Sequence, residues 1–526
     1  MKSILASAAL LCAAASMMSA QGLVSKQGAS GADTLILSRS VYTGNASTVS
    51  VGQTLPPGCV AGTVKVPTLS GGTAKVAVTC ATATNNGTYP AVFNNDVVDG
   101  SFGVTSPIFL DNISKNGKLL GTYSVPSNLI VTSFSSKSEL SLHLSLDGKS
   151  ITFVGYQGGP GFVTAPNQLD VSNSNTPGVV DPTNPVVSQY YRAVAEVDAD
   201  GNLQITPGNA YSGNNGRAAI KASDSAYYLT GNDNNGGLSK SQLTTTQVGL
   251  NLITSTGAEF LVPGQTPPVP PNIDMIGDFE ITQLGYPTPD KAGKDNNFRG
   301  LTIFNNTLYV TKGSGGNGIN TVYQVGDAGA LPTGSQADLA AAPITVLPGF
   351  PTTLASGVAL DGSTGNPVAF PFGIWFADAN TLYVCDEGDG TLVSPPVNGN
   401  VASAASQATA GIQKWLFDGT SWSMAYILQN GLDIGIPYTI SGYPSPATDG
   451  CRNLTGKTNG DGTVDLYAVT STVSTSGDQG ADPNKLVTVK DQLKATTLPK
   501  GLGQFTTLRA AGFGEVLRGV TFAPHN

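Results

Sequence analysis

Histidine is scarce in this chain, and its scarcity excludes several kinds of catalysis. Only His143 and His525 occur among 526 residues. His143 alternates with Leu142 and Leu144 in a predicted inner strand, and His525 is the penultimate residue. Histidine is the usual base of nucleophile relays and a common metal ligand, and the chain has no G-x-S-x-G elbow. We therefore expect no histidine-dependent catalysis, no metal site and no other cofactor.

Basic charge is also limited. The chain has 26 Lys and Arg residues against 35 Asp and Glu residues, which gives a net charge of −9. A protein that binds nucleic acid needs a basic surface that displaces counterions from the phosphates. We therefore expect no nucleic-acid partner.

Long apolar runs are absent after the first 20 residues. Lys2 is followed by an apolar stretch over residues 4–20, which is diluted by Ala and Ser. A single positive charge, a short apolar core and small residues before Gln21 are typical of a secretory signal. The alternative, a membrane anchor, is disfavoured because about 20 strongly apolar residues are needed to cross a bilayer. The sequence predicts a signal peptide at residues 1–20 and a secreted, extracellular protein without a membrane partner.

Cysteine is rare but even in number once the signal is removed. Cys12 lies in the signal, which leaves Cys59, Cys80, Cys385 and Cys451. In an oxidising compartment this predicts two disulfides, with three pairings open. We favour Cys59–Cys80, which closes a local loop, together with Cys385–Cys451. A zinc site of four thiolates is the alternative, and it is disfavoured because no C-x-x-C pair occurs.

Helical periodicity is absent, and strand signals recur instead. The chain contains 65 Gly and 33 Pro residues and long Thr, Ser, Val and Asn tracts, which suit strands joined by turns. Five copies of one pattern, an apolar strand, a tight turn and a second strand rich in Tyr and Val, begin near residues 140, 217, 299, 372 and 452. The spacing of about 70 to 80 residues exceeds the usual 40–50 of a propeller blade, because long polar loops follow the strands. Further strand pairs such as 411–417 and 422–427 supply outer strands.

The two ends of the chain carry complementary halves of this pattern. Residues 517–522 are similar in sequence to residues 298–304, which start a repeat copy. Residues 33–42 are predicted to form a strand that has no partner close by in the sequence. Four strands per repeat predict an all-β β-propeller of six blades, or seven if residues 273–286 belong to a merged blade. Pairing of the N- and C-terminal strands would close the ring and remove exposed sheet edges. We expect a single domain over residues 21–526, monomeric, with a disulfide-bearing insertion at about 45–105.

The pattern resembles a largely uncharacterised group of secreted bacterial and fungal β-propeller proteins that end in an R-G-V-x-F-x-P strand. The segments that fit are residues 191–196, 212–217, 411–415, 505–508 and 518–524. The insertion departs from that pattern. The resemblance implies the propeller fold and an extracellular location.

Charged residues at the start of the inner strands are the first candidate ligand-binding set. They are Glu139, Arg217, Arg299, Arg452 and Arg518. Inner strands of a propeller line its central channel, so these side chains converge on one rim. Arginine pairs bidentately with carboxylates, so the rim either ties the blades together through ion pairs or binds an anionic ligand.

Carboxylates are the candidate catalytic groups, because acid–base chemistry without histidine falls to them. Asp386 and Glu387 are adjacent, so on a strand they point to opposite faces. A working pair would join one of them to Asp449, Asp233 or Asp478 across the channel.

Three functions are compatible with this pattern. The first is binding or turnover of an acidic polysaccharide or a small carboxylate ligand at the channel mouth, which exposed Tyr190, Tyr438 and Tyr443 would favour. The second is a structural or adhesive extracellular protein without turnover. The third is a metal-dependent, lactonase-like hydrolase. The sequons, which predict a glycoprotein if the chain is made in a eukaryotic secretory pathway, are at Asn45, Asn86, Asn112, Asn305 and Asn453.

Overall fold

The structure is a computed structural model. It describes residues 22–23, 34–42, 49–68, 71–91, 104–134, 136–157, 174–223, 226–232, 250–254, 273–277, 279–288, 295–313, 317–357, 370–397, 400–402, 408–476 and 479–525. The expected signal peptide and the residues Asn45, Asp233 and Asp478 lie outside these ranges.

Antiparallel sheets dominate the chain, and five of them have four strands. Sheet 1 contains β1 (Thr34–Val41), β7 (Ile108–Ser114), β8 (Leu119–Ser124) and β32 (Glu515–Phe522). Sheet 3 contains β14 (Gly216–Ser223), β15 (Ala226–Gly231), β16 (Leu250–Thr254) and β17 (Asp274–Met275). Sheet 4 contains β18 (Leu301–Phe304), β19 (Thr307–Lys312), β20 (Thr321–Val325) and β21 (Ile344–Val346). Sheet 5 contains β22 (Pro371–Asp378), β23 (Thr381–Asp386), β26 (Gly411–Phe417) and β27 (Trp422–Leu428). Sheet 6 contains β28 (Ala447–Thr458), β29 (Thr463–Val473), β30 (Lys485–Gln492) and β31 (Thr506–Ala510).

The remaining elements are one larger sheet, three short strand pairs and short helices. Sheet 2 contains β6 (Thr105–Ser106), β9 (Ile130–Ser133), β10 (His143–Leu144), β11 (Ser150–Gln157), β12 (Arg192–Asp198) and β13 (Leu203–Gly208). The pairs are β2 (Thr54–Leu55) with β5 (Ala81–Thr82), β3 (Gly62–Pro67) with β4 (Thr73–Val78), and β24 (Leu392–Val397) with β25 (Asn400–Ala402). The helices are α1 (Gln336–Ala340) and the 3-10 turns Ile281–Leu284 and Ala355–Gly357. None of the helices among the described residues is long and apolar enough to cross a membrane.

The architecture is that of an all-β propeller, but the prediction of six blades is wrong, because the described residues form five. Five sheets have the four-stranded form, and sheet 2, which holds the first repeat copy, does not. The sequence count treated residues 140–146 as one continuous inner strand, whereas β10 covers only two of these residues. The other four repeat copies correspond to the first two strands of sheets 3, 4, 5 and 6.

Glycines set how closely the innermost strands approach one another. A Cβ on Gly373 of β22 would collide with Arg452 O of β28, and one on Gly519 of β32 would collide with Leu140 O. Side chains cannot be accommodated where the backbones of neighbouring sheets pass this closely. The Arg-Gly and Phe-Gly pairs of the repeat therefore place a glycine where two inner strands touch.

The two ends of the chain lie side by side in sheet 1. The antiparallel register of β1 and β32 joins Leu35 to Phe522 and Val41 to Glu515. Val516, Leu517 and Val520 of β32 are almost completely buried.

The insertion packs against the body through aromatic side chains. Tyr89 stacks on Tyr443 at a centroid distance of 5.1 Å and contacts Phe134 edge-on. The disulfide Cys59–Cys80 lies within the insertion, and Cys385–Cys451 joins sheets 5 and 6 in the core. The two predicted disulfides are therefore confirmed, in the favoured pairing.

The sequons differ in accessibility. Asn112 and Asn453 are buried in strands, where Asn112 Nδ2 donates to Leu23 O and Asn453 Oδ1 accepts from the Val520 amide. Asn305 is exposed at the turn between β18 and β19. Glycosylation at Asn305 stays a prediction, whereas the folded chain hides Asn112 and Asn453.

Candidate functional site

The inner edge of sheet 2 is interrupted, and the interruption builds the candidate site. β9 pairs with β11 at Tyr156, whereas β10 pairs with β11 at Ile151 and Thr152. The chain between β9 and β10 leaves the sheet. We call Phe134 and residues 136–139 the plug, because residues in or next to four other sheets form hydrogen bonds with this segment.

Two arginines, one from sheet 1 and one beside sheet 4, donate hydrogen bonds to the plug. Arg518 of β32 donates to Ser136 O at 2.8 Å and also to Phe134 O. Arg299, next to β18, donates to Ser138 Oγ.

The plug also contacts sheets 3 and 6 through its side chains. Asn215, beside β14, donates to Ser136 Oγ. Lys137 Nζ donates to Gln479 Oε1 at 3.4 Å, beyond the end of β29.

The candidate ligand-binding arginines are all buried, and their contacts are with the chain itself. Arg217 donates to Phe298 O at 2.6 Å and to Asn297 Oδ1. Arg452 Nε lies 3.0 Å from Glu387 Oε2 in a buried ion pair. The contacts of Arg299 and Arg518 with the plug complete the set. Much of the predicted rim therefore holds the plug and the sheets together.

Glu139 is likewise engaged within the fold. Its carboxylate accepts hydrogen bonds from Tyr156, Thr132 and the Ser133 amide. Burial raises its pKa, and these three donors oppose the rise. Glu139 therefore anchors the C-terminal end of the plug to sheet 2.

A cavity of about 110 Å³ lies between the plug and sheets 5 and 6. Its lining residues are Lys137, Phe370, Glu387, Gly388, Asp389, Gly390, Asp449, Arg452 and Gln479. Three of the residues expected from the sequence therefore meet there, Glu387, Asp449 and Arg452. Asp386, Glu139, Arg217, Arg299 and Arg518 are not among the lining residues.

Lys137, Asp389 and Gln479 line the cavity but were not predicted. Lys137 lies in the sequence Ser-Ser-Lys-Ser. The lysine in this polar segment is the one feature that could have marked it as a candidate. No local pattern indicates that this lysine reaches a loop of sheet 6.

The side chains of Asp386 and Glu387 have different neighbours, as expected for adjacent residues at the end of a strand. Asp386 Oδ2 accepts from the Phe370 amide and Gln413 Nε2, and its Oδ1 accepts from the Gly388 amide. Asp386 therefore fixes the backbone at Phe370 and Gly388, next to Glu387, and does not face the cavity. Glu387 faces the cavity.

The environment of Glu387 favours its ionised form. Burial alone would raise the pKa of this carboxyl, but the positive charges of Lys137, Arg452 and Arg299 lower it below its usual value. Glu387 is therefore a carboxylate at neutral pH.

Asp449 has the opposite environment on the same cavity. Its Oδ2 accepts from the Gly390 amide at 2.8 Å. Burial raises its pKa well above the usual range, and the nearby Asp389, Glu387 and Asp386 raise it further. Two carboxyl groups whose pKa values are pushed apart in one cavity form a typical acid–base arrangement.

Replacing Asp449 with Asn is expected to stabilise the protein at neutral pH. A carboxyl whose pKa is raised in the folded state contributes full stability below its unfolded pKa, about 3.8, and that contribution is lost as the pH rises through the folded pKa. Asn removes the buried charge and keeps an acceptor for Gly390. The melting temperature of Asp449→Asn should exceed that of the parent at pH 7 and match it near pH 3.5.

Asp200→Asn is the control for that experiment, because Asp200 is exposed and its loss should change stability by no more than about 0.5 kcal/mol at either pH. An Asp449→Asn protein that is less stable than the parent at pH 7 would show that this carboxylate is needed in its charged form.

Two of the tyrosines whose exposure would favour sugar binding do not have a fully exposed ring. Tyr443 is buried and donates to Asp482. Tyr438 is half-buried, with Lys485 Nζ 3.8 Å from its ring centroid. The expectation of an exposed ring is therefore wrong for Tyr443, because the insertion covers it.

The described residues contain no group of three His, Cys, Asp or Glu side chains that could hold a metal ion. The lactonase-like alternative thus has no candidate centre in this part of the chain. His143 is held neutral, because burial lowers its pKa to about 4.

Comparisons with known proteins do not assign this chain to a family. No family model and no curated protein matches the chain. The chain is similar to the structure of a Pyrococcus horikoshii acylaminoacyl peptidase at 8% identity and a TM-score of 0.28, over 88% of this chain and 51% of that one. It is similar to the parainfluenza virus 5 hemagglutinin-neuraminidase ectodomain at 10% identity and a TM-score of 0.30, over 91% of this chain and 87% of that one. The chain therefore matches about half the length of the peptidase. At these TM-scores neither likeness carries an argument about the fold or the activity of this chain.

Proposed function

We propose that this chain is a secreted β-propeller that binds the acidic end of an extracellular glycan, or another small carboxylate, in the cavity beside the plug. One observation carries the proposal. Lys137, which lies at the interrupted edge of sheet 2, lines the same cavity as the Glu387–Arg452 ion pair and Asp449. We also propose that the pairing of β1 with β32 closes the ring, and that the chain belongs to the secreted propeller group it resembles.

The size of the cavity favours a terminal group over the middle of a polymer. At about 110 Å³ the cavity is well below the roughly 300–1,000 Å³ of pockets that enclose a drug-sized ligand. This space suits a carboxylate and the adjoining edge of one sugar ring.

The chemistry of the lining supports an acidic sugar over a neutral one. The Lys137 ammonium supplies a charge-assisted hydrogen bond to a ligand carboxylate. Asp449 in its neutral form donates a hydrogen bond, and Asp389 and Gln479 accept bonds from sugar hydroxyls. Glu387 and Asp449 are the groups we assign to any proton transfer at the site.

The test compares galacturonate with galactose, which lacks the carboxylate. Galacturonate is expected to bind and to raise the melting temperature, because a ligand specific for the folded state stabilises it. Lys137→Gln should weaken binding at least about tenfold, the loss expected for one charge-assisted hydrogen bond. Lys149→Gln, a change at an exposed lysine, is the matched control and should bind as the parent does.

Equal binding of galactose and galacturonate, or unchanged binding by Lys137→Gln, would contradict the proposal. Absence of binding by any uronate or small carboxylate would favour the structural or adhesive alternative. Assays of the same samples for new reducing ends and for ultraviolet absorbance separate a hydrolase or a lyase from a binding protein.

A further inference from the structure

The insertion carries an unusual distribution of charge. Between Arg39 and Asp96 the only charged residues are Lys65 and Lys75, although the whole chain has a net charge of −9. Both lysines lie on the two-stranded sheet formed by β3 and β4, which we call the basic hairpin. A stretch of 56 neutral or basic residues in an acidic protein is a local reversal of charge.

The register of the basic hairpin places the two lysines directly opposite each other. Lys65 pairs with Lys75, and both side chains are exposed. Directly opposed residues have Cβ atoms about 4.5–5.5 Å apart, and like charges at that spacing destabilise a hairpin. Neither ammonium group forms a hydrogen bond or an ion pair within the described part of the chain. A bound polyanion would remove that repulsion by pairing with both ammonium groups.

The basic hairpin has one exposed face, and on the opposite face Val66 is almost completely buried. Its exposed face carries Thr63 and Ala77 at one end and Pro67 and Thr73 at the other. The disulfide Cys59–Cys80 closes the base of the hairpin. Two-stranded sheets are marginal on their own, so the disulfide keeps a narrow, small-residue face available with two cations at its centre.

We infer that the basic hairpin is a docking surface for an anionic polysaccharide chain. The exposed face of small and hydroxyl-bearing residues lets an extended sugar polymer lie flat, and the lysine pair binds its carboxylate or sulfate groups. The face lacks the aromatic rings on which bases of single-stranded nucleic acid stack. It also lacks the large apolar side chains that insert into a lipid surface. This surface is separate from the cavity beside the plug and does not depend on the function proposed for it.

The experiment is retention on immobilised polygalacturonate and on immobilised dextran sulfate at low salt, followed by elution with a salt gradient. The parent protein should be retained. Lys65→Glu/Lys75→Glu should bind at least about thirtyfold more weakly, because each lysine near an anionic surface contributes roughly a factor of five. Lys65→Arg/Lys75→Arg keeps the charge and should be retained as the parent is.

Lys115→Glu/Lys118→Glu is the matched control. These lysines lie at the turn between β7 and β8, so the variant makes the same change in net charge on another hairpin, and its retention should equal that of the parent. Melting temperatures equal to the parent's confirm that the variants are folded.

Equal elution of the two charge-reversal variants would overturn the inference, as would a parent protein that neither polymer retains. Stronger retention on immobilised single-stranded DNA than on both polysaccharides would assign the surface to nucleic acid and would overturn it as well. Retention on dextran sulfate alone or on polygalacturonate alone would support it and identify the anionic group.

Discussion

A chain that ends at Gly514 should not fold. The truncation removes β32, in which Val516, Leu517 and Val520 are almost completely buried. Each large apolar side chain contributes about 1.5–3 kcal/mol on burial, so these three alone contribute roughly 4–9 kcal/mol, within the range of the whole stability of a typical domain. The loss also exposes the edge of β1 and removes Arg518, which holds the plug. The truncated protein should be recovered as aggregate, as measured by its soluble yield and by size-exclusion chromatography.

A shorter truncation separates the effect of β32 from the loss of a tail. Removing only residues 525–526 leaves every strand intact and should give soluble protein with a melting temperature within a few degrees of the parent's. A Gly519→Val substitution tests the same contact without shortening the chain, because its side chain would collide with Leu140 O. A soluble Gly514-terminated protein with an unchanged melting temperature would show that the two ends do not close the ring.

The strand pairs could be predicted because their signals are local. In β18 and β19 the apolar residues are joined by Asn305 and Asn306, both of which have positive φ. Asn tolerates that conformation, which is what a two-residue hairpin turn requires. The same reasoning located the first two strands of sheets 3, 5 and 6, and the even number of cysteines gave the disulfides.

The plug could not be predicted, because its position is set by residues that are distant in sequence. Ser136 is fixed by Arg518 and Asn215, and Ser138 by Arg299. Residues 134–139 have no local preference that distinguishes an interrupted inner strand from a continuous one. The blade count failed at this place and nowhere else.

Only part of the candidate site could be predicted, because some of its residues belong to the repeat and one belongs to the plug. Asp449 and Arg452 lie near the start of β28 and Glu387 follows β23, so the repeat places all three at the same end of their sheets. Lys137 reaches them only because the plug leaves sheet 2. Arg299 and Arg518 both contact the plug, but the sequence could not distinguish a ligand from a segment of the chain as their partner, since backbone oxygens accept from arginine as carboxylates do.

Sheets 5 and 6 are joined by a buried ion pair that a single substitution should break. Lys414 Nζ of β26 lies 3.0 Å from Asp491 Oδ2 of β30, and neither side chain is exposed. Tyr383 and Tyr426 donate to the two carboxylate oxygens at 2.6 and 2.7 Å. Burial lowers the pKa of Lys414, and Asp491 opposes that change. Lys414 and the two tyrosines together satisfy the Asp491 carboxylate, so removal of Lys414 leaves a buried negative charge without a counter-charge.

Lys414→Met is therefore expected to lower the free energy of unfolding by about 3–5 kcal/mol, the cost of leaving a buried carboxylate without its counter-charge. Lys494→Met is the matched control, because Lys494 pairs with Asp378 at 3.3 Å with 75% of its side chain exposed. An exposed pair contributes at most about 1 kcal/mol. The measurement is urea denaturation of both variants and the parent at pH 7.

The double variant Lys414→Met/Asp491→Asn distinguishes a buried charge from lost packing. It removes both charges and keeps an amide oxygen that accepts from one of the two tyrosines, so it should recover part of the stability lost in Lys414→Met. Buried ion pairs are often replaced by neutral residues at little cost, whereas half of a pair is not tolerated. A double variant less stable than Lys414→Met, or a Lys414→Met loss no greater than that of Lys494→Met, would show that the contact between sheets 5 and 6 depends on packing and not on this pair.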